Sequence, residues 1–498
     1  MRRLLFSLLA LATVACGSRG ARWDEPLEAE GPFVAADRLV WLNRTASLLV
    51  VLDPQGGDGA RAFDVVGRIR GAAPWSGGMA ILGGRGDAPT LEIVRLPGGE
   101  RRRIALGAAW DEIAVAPDGT HAVLRFDPDV PPAAGAPPVR NLNEIGVVDL
   151  AAGSATTVVL QTEALVPRAV VFQPGGTLAA LLFDNAIALV DTAAPARRVQ
   201  VPLKLRDGTA LRPAEALFSP DGSFLFVRAV GSEDVLTLEL LEAAGALDVS
   251  INFLFVAGGR SLQDIAVAEA LGNAVVALYA SHVALLDATG DSGATHVAAL
   301  EPDLDRITDL GDGLLLLTAQ GFATDRLSVA AWDPAAGRLV VDRLERPLAG
   351  APVVANGEAF LPQQGGTTGA LTVARVERDP ARLRLDLQAL QVAGQITSTA
   401  VDGASGVVFL GLDLQRPATV DDTATGGVAA ITAGSLASDG LLLDAPVRQV
   451  GVVGGSIYAL HDDRLGDVTL APLRSLRRED AVRYEGVLLG GLFDRGEE

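Results

Sequence analysis

A short pattern of apolar residues, an Asp and a turn of small residues recurs along the whole of this 498-residue chain. Clear copies are VLDPQGG (51–57), VVDLAAG (147–153), LVDTAAP (189–195), LLDATG (285–290) and AWDPAAG (331–337). Weaker copies lie between and after them, at Pro97, Glu242, Asp379, Thr432 and Pro472. The mean spacing of about 47 residues indicates a repeat architecture, in which one small structural unit is used many times.

Each unit contains four short strands. Residues 168–203 show this best, as strand VVF, turn QPGG, strand TLAALLF, loop DN, strand AIALVD, turn TAAPA and strand RRVQVPL. In the turns APDG (116–119) and SPDG (219–222), Pro sets φ, Asp bonds back to the backbone and Gly adopts positive φ. Short strands separated by such turns predict an all-β chain.

The order of an SPDG turn, an apolar strand and an apolar strand ending in Asp resembles the YVTN and WD-type repeats of bacterial β-propellers. The resemblance extends from residue 31 to about 493 and is clearest in the third to seventh units. It implies four-stranded antiparallel blades around a central channel, and a structural role for the turn residues Asp118 and Asp221. Ten units are compatible with one large ring, with a smaller ring of seven or eight blades or with two rings. The even spacing favours one ring of eight to ten blades over residues 32–498.

The N-terminal segment predicts export and lipid attachment. Arg2 and Arg3 precede the apolar run LLFSLLALATVA (4–15), which is typical of a signal peptide over residues 1–15. TVAC (13–16) resembles the lipobox of bacterial lipoproteins, in which the cysteine is acylated, and Cys16 is the only cysteine of the chain. The alternative is a signal peptide followed by an incidental cysteine. With Gly17 after the cysteine, the resemblance implies an outer-membrane lipid anchor, and residues 16–31 form a flexible tether.

The net charge of the chain that remains after the signal peptide limits which partners it can bind. Without Arg2 and Arg3 the chain has 39 basic and 61 acidic residues, a net charge of −22. Nucleic-acid phosphates and anionic lipid surfaces repel such a protein, so we predict no nucleic-acid partner. The predicted membrane contact is the lipid anchor alone, and the predicted partner is an envelope protein or peptide.

Several units have a long connection between their second and third strands. In a propeller these connections share one face, and loops on a rigid scaffold commonly carry binding residues. The alternative is that the loops are insertions without a partner. The candidate binding-face residues are Asp127, Asp129, Arg140, Phe322, Arg326, Gln363, Gln364, Asp421 and Asp422.

The sequence contains no recognisable catalytic motif, and we predict no catalytic residue. The four histidines form no paired metal-binding spacing, no GxSxG motif occurs, and Lys204 lacks a glycine-rich loop. No cofactor is predicted, and calcium at paired aspartates is a minor alternative. Two main hypotheses follow: a binding or scaffold module on the periplasmic or surface side of the outer membrane, or a propeller enzyme of the lactonase or the quinone- or metal-dependent dehydrogenase type. A purely structural envelope protein is a third.

Overall fold

A computed structural model describes most of the chain after the N-terminal segment. The described residues are 28–489, except 56–59, 66, 86–87, 128, 130–140, 161–165, 206–207, 244–245, 257–259, 290–293, 301–303, 321–325, 366–367, 380, 415–423 and 462–464. Cys16 and the predicted signal peptide therefore lie outside the described residues.

Forty strands in the described residues form ten sheets, which we number as blades 1 to 10. Blades 1 to 5 contain β1 Ala29–Ala35, β2 Arg38–Asn43, β3 Leu48–Leu52 and β4 Ala60–Asp64; β5 Gly71–Trp75, β6 Gly78–Arg85, β7 Ala88–Arg95 and β8 Glu100–Ala105; β9 Glu112–Val115, β10 His121–Arg125, β11 Glu144–Asp149 and β12 Ser154–Val159; β13 Ala169–Phe172, β14 Leu178–Leu182, β15 Ala186–Asp191 and β16 Arg198–Pro202; β17 Arg212–Phe218, β18 Phe224–Val230, β19 Val235–Ala243 and β20 Ala246–Leu254.

Blades 6 to 10 contain β21 Leu262–Val267, β22 Ala274–Tyr279, β23 His282–Asp287 and β24 Ala294–Ala299; β25 Arg306–Gly311, β26 Leu314–Thr318, β27 Ser328–Asp333 and β28 Arg338–Arg343; β29 Val353–Ala355, β30 Glu358–Gln363, β31 Gly369–Arg378 and β32 Leu383–Val392; β33 Gln395–Asp402, β34 Val407–Asp413, β35 Gly426–Thr432 and β36 Ser438–Leu443; β37 Val447–Val453, β38 Ser456–His461, β39 Val468–Pro472 and β40 Val482–Tyr484. Three short 3-10 helices are Glu269–Leu271, Arg478–Asp480 and Val487–Leu489. No helix in the described part of the chain is both long and apolar enough to cross a bilayer.

Every blade is an antiparallel sheet with its four strands in chain order. The two middle strands are nearly continuous apolar runs, and in blade 4 both Leu178–Leu182 and Ala186–Asp191 are buried throughout. Fourth strands such as Ser154–Val159 are largely exposed. This gradient arises because neighbouring blades cover both faces of the middle strands.

The first strand of each blade lies nearest the ring axis. First strands of successive blades contact one another, as do β1 and β5, β5 and β9, β17 and β21, and β33 and β37. The first strands therefore line the central channel, and the fourth strands form the outer wall.

The ten blades close into one ring. Ten separate apolar clusters fill the ten interfaces between neighbours, and one of them joins blade 1 to blade 10 through Trp41, Val50, Tyr458, Val487 and Leu488. No strand is exchanged at this junction among the described residues, since each blade is built from one continuous stretch of chain. Side-chain packing closes the ring.

The sequence-based prediction of the fold is confirmed. All ten markers of the repeat fall at the turn between the third and fourth strands, including Asp53, Asp191 and Pro472. The blade number is ten, the upper end of the predicted eight to ten. The first strand begins at Ala29, three residues before the predicted start of the propeller at residue 32.

The aspartates of the SPDG-type turns have the expected structural role. Asp221 Oδ1 accepts hydrogen bonds from the Ser219 hydroxyl at 2.6 Å and the Ser223 backbone N–H at 2.9 Å. The Ser219 bond holds the pKa of Asp221 well below its usual range. Asn273 of the next blade donates to Asp221 Oδ2 at 2.9 Å, so this turn also links two blades.

Candidate functional site

The longest connections share one side of the ring, which we call the long-loop face. Because the strands alternate in direction, the connections between second and third strands lie at the same sheet edge as those between blades. Residues 126–143, 319–327 and 414–425 are the longest of the former. The tight turns that contain Asp lie at the opposite edge, for example the turn at Asp221.

Five of the nine nominated face residues lie within the described residues: Asp127, Asp129, Arg326, Gln363 and Gln364. Arg140, Phe322, Asp421 and Asp422 lie outside them. The five described residues belong to blades 3, 7 and 8 and do not form one cluster.

Most of the described residues among these nominations have structural partners. Arg326 pairs with Asp305 at 2.8 Å and donates to the carbonyl of Gln320. Gln363 does not face solvent as predicted: it is 4% exposed, because it ends a buried strand, and its amide donates to the carbonyl of Arg346 at 3.2 Å. The adjacent Gln364 is half-buried.

A cavity of about 580 Å³ opens at the long-loop face between blades 1, 2 and 3. It lies where the connections between blades meet the starts of the channel-lining strands β5 and β9. Its volume falls within the range of small-ligand sites. Seven ionisable side chains line it: Glu30, Arg44, Arg68, Arg70, Asp111, Glu112 and Asp127.

Arg44 links blade 1 to the connection before blade 2, and these two parts form one side of the cavity. It follows β2 and donates to Glu30 Oε2 from Nε at 3.1 Å and from NH2 at 2.5 Å. Its NH1 donates to the carbonyls of Ile69 and Arg70 at 3.2 and 3.0 Å. Nε and NH2 thus share one carboxylate oxygen while NH1 binds two carbonyls, so Arg44 ties Glu30 to the connection that carries Arg68 and Arg70.

Blade 3 contributes three carboxyl groups to the opposite side. Glu112 lies directly across from Arg125 in the β9–β10 pairing and forms an ion pair with it. Burial raises the pKa of Glu112, Arg125 opposes the shift, and the hydrogen-bonded Asp127 carboxyl adds to it. Burial also raises the pKa of Asp111, and Arg70 and the backbone N–H of Asp127 oppose that shift. Crowded carboxyl groups in a partly desolvated site favour a neighbouring positive charge.

Arg70 lies between the two sides of the cavity. Its NH1 donates to the carbonyl of Ala109 at 2.8 Å, whereas its buried Nε has no hydrogen-bond acceptor among the described residues. Burial lowers its pKa, Asp111 opposes this shift, and the neighbouring Arg68 adds to it. The blade 2 side of the cavity is therefore a site where positive charge is concentrated.

Ion pairs continue around the same face. Within blade 5, Arg228 donates to Glu215 at 3.1 Å. Between blades 6 and 7, Asp264 Oδ2 accepts the backbone N–H of Ile307 at 2.8 Å, and its Oδ1 lies 3.6 Å from Arg306. Burial raises the pKa of Asp264 to about 6. Sequence reasoning missed these pairs and the cavity.

The described residues contain no group of three His, Cys, Asp or Glu side chains arranged to hold a metal ion. Two histidines instead take part in packing and hydrogen bonding. His282 stacks on Tyr279 with ring centroids 4.7 Å apart, and His461 Nε2 lies 2.8 Å from the hydroxyl of Thr469.

Comparison with known proteins yields only distant similarities. No family model matches the chain, and no curated protein matches it significantly. Among solved structures it is similar to dihydro-heme d1 dehydrogenase NirN in complex with DHE (13% identity, 80% of this chain and 72% of that chain, TM-score 0.40). It is also similar to a eukaryotic initiation factor (14%, 84% and 97%, TM-score 0.43) and to Kuenenia stuttgartiensis hydrazine synthase (16%, 65% and 98%, TM-score 0.30).

These similarities are too weak to assign a function. The class of this protein rests on its own structure, which is a ten-bladed β-propeller with a charged cavity on its long-loop face.

Proposed function

We propose that this protein is a lipid-anchored β-propeller of the cell envelope that binds a peptide segment of another envelope protein at its long-loop face. The observation that carries the proposal is the cavity between blades 1, 2 and 3, whose walls bear charges of both signs. A rigid ring that presents such a cavity on its loop-bearing face is suited to recognition.

The size of the cavity favours a short segment as the ligand. About 580 Å³ accommodates a few residues of an extended peptide and excludes a folded domain. The long β10–β11 connection contributes Asp127 to the lining of the cavity.

The anchor is proposed from the sequence around Cys16. Acylation there, followed by the tether, would attach the acidic ring to the outer membrane without contact between the ring and anionic lipid. Mass spectrometry of the mature N-terminus would identify the lipid, and an unmodified residue 16 would contradict this part of the proposal.

Peptide binding is tested by panning a phage library of random peptides against the full-length chain in detergent micelles. The test variant Asp127→Arg reverses one charge in the cavity, and the control Asp248→Arg makes the same change on the exposed outer strand β20. We expect enrichment on the wild type and the control and its loss on Asp127→Arg. No enrichment, or equal enrichment on both variants, would contradict the proposal.

Catalysis at the same cavity is the second candidate. The raised pKa of Glu112 beside Asp127 is typical of a general acid. Incubation of the enriched peptides with the wild type, followed by mass spectrometry, separates the two functions. Unchanged peptides support binding, and cleaved or modified peptides support an enzyme.

A further inference from the structure

Among the described residues, four charged side chains of the cavity form no ion pair: Arg68, Arg70, Asp111 and Asp127. Arg70 and Asp111 attract each other across the cavity, which leaves Arg68 and Asp127 to consider. Arg68 is exposed and forms no hydrogen bond or ion pair among the described residues. Asp127 accepts the backbone N–H of Asp129 at 2.9 Å and is hydrogen-bonded to the carboxyl of Glu112, but it pairs with no cation among the described residues. The two residues have opposite charges and lie in different blades, Arg68 before the first strand of blade 2 and Asp127 after the second strand of blade 3.

The other charges around the cavity have an opposite charge within the protein: Arg70 and Asp111 attract each other without forming an ion pair, and the remaining ones are paired. Glu30 pairs with Arg44, which also donates to two carbonyls. Glu112 pairs with Arg125, which donates to the carbonyl of Pro167 at 2.8 Å. A ligand therefore meets uncompensated charge chiefly at Arg68 and Asp127.

Arg68 and Asp127 each have neighbours of the same charge, which increase the local charge at these two residues. Arg70 lies close enough to Arg68 for the two guanidiniums to repel each other. Glu112 and Asp111 lie beside Asp127 on the other wall. An anion near the arginines and a cation near the carboxyl groups would each relieve repulsion between like charges.

We infer that the cavity binds a zwitterionic ligand, whose cationic group contacts Asp127 and whose anionic group contacts Arg68. This inference rests on the proposed function and specifies the chemistry of the bound segment. A peptide with a basic and an acidic side chain close together supplies this chemistry, and so does a free amino acid.

Isothermal titration calorimetry of the full-length chain in detergent micelles tests the charge requirement with four probes. Acetyl-Lys-Gly-Asp-amide carries both charges on side chains, acetyl-Lys-Gly-Asn-amide only the positive one, and acetyl-Gln-Gly-Asp-amide only the negative one. Free lysine represents the amino-acid source. We expect the doubly charged peptide to bind roughly threefold to tenfold more tightly than either singly charged peptide at low salt. Tighter binding of free lysine than of this peptide would assign the site to an amino acid.

Two variants separate the two contacts. Asp127→Asn should weaken both peptides that contain Lys and leave acetyl-Gln-Gly-Asp-amide unchanged. Arg68→Gln should weaken both peptides that contain Asp and leave acetyl-Lys-Gly-Asn-amide unchanged. Asp248→Asn, on the exposed outer strand β20, is the matched control and should bind all probes as the wild type does.

Equal affinity for the doubly and singly charged peptides would overturn the inference, as would failure of all four probes to bind. Variants that change no affinity would overturn it too. Its failure is distinguishable from failure of the proposed function, because panning would still enrich peptides that lack this pair of charges. If panning enriches nothing, the proposed function itself fails.

Discussion

Asp264 is the group whose ionisation the fold opposes most clearly. Its side chain lies between blades 6 and 7 on the long-loop face, and burial raises its pKa from 3.8 to about 6. Because the folded chain holds this proton more tightly than the unfolded chain, the free energy of unfolding should fall as pH rises from about 4 to about 6. Above that range both states are ionised, and the loss is complete.

The difference between a pKa of about 6 and one of 3.8 corresponds to at most about 3 kcal/mol. The actual cost should be about 1–2 kcal/mol, because solvent screens part of the charge. Asp264→Asn keeps an acceptor oxygen for the N–H of Ile307 and removes the charge. We therefore expect the variant to be about 1–2 kcal/mol more stable than the wild type at pH 7.5.

Calorimetric melting of both proteins between pH 4.5 and 8 measures this effect. The stability of the wild type relative to the variant should fall as pH rises to about 6 and then remain constant. Asp248→Asn, on the exposed outer strand β20, is the control and should show no comparable change. A variant less stable than the wild type at pH 7.5 would refute the reasoning, because the ionised Asp264 would then be stabilising through Arg306.

Three further predictions address ring closure, the turns and the anchor. Leu488→Ala should lower the free energy of unfolding by about 2–4 kcal/mol in urea titrations, since Leu488 packs at the junction of blades 1 and 10; an unchanged value would exclude a closing role. Asp221→Ala should cost about 1 kcal/mol at pH 7. Because the pKa of Asp221 is lowered in the folded chain, the difference in melting temperature between wild type and this variant should shrink as pH falls below about 4, and a pH-independent difference would contradict this account. Cys16→Ser should move the chain from the detergent phase to the aqueous phase in Triton X-114 partition, and retention in the detergent phase would contradict lipid attachment.

The repeat and its turns could be predicted from the sequence because their determinants are local. The residues of the SPDG turn themselves favour the required φ angles, and the aspartate supplies the hydrogen-bond acceptor. Asp221 accepts its hydrogen bonds from Ser219 and Ser223, so five consecutive residues determine the turn. Counting turns gave ten units, from which a ring of eight to ten blades was predicted, and the structure has ten. Which residues pack across the closing junction, such as Leu488 against Trp41, depends on contacts between the two ends of the ring.

The cavity could not be predicted because three blades assemble it. Arg44, Arg70 and Asp111 are separated in the sequence and meet only in the closed ring. One signal was available: an acidic residue near the start of a first strand, with Arg 13 or 14 residues later at the end of the second. Glu112 and Arg125 have the first spacing, and Glu30 and Arg44 the second. The candidate residues were chosen from the long loops, and this choice included Asp127, which lines the cavity. It also included Gln363, because a sequence pattern does not reveal that this side chain is buried.

Site-specific photocrosslinking in intact cells tests the proposed binding face most directly. A benzoylphenylalanine would replace Asp129, beside the cavity on the long-loop face, or Ala335, which is exposed in a turn on the opposite face. We predict that position 129 crosslinks to one envelope protein, identified by mass spectrometry, and that Asp127→Arg removes this adduct. Position 335 should give no such adduct. The absence of an adduct at position 129, or the same adduct from both positions, would contradict binding through the long-loop face.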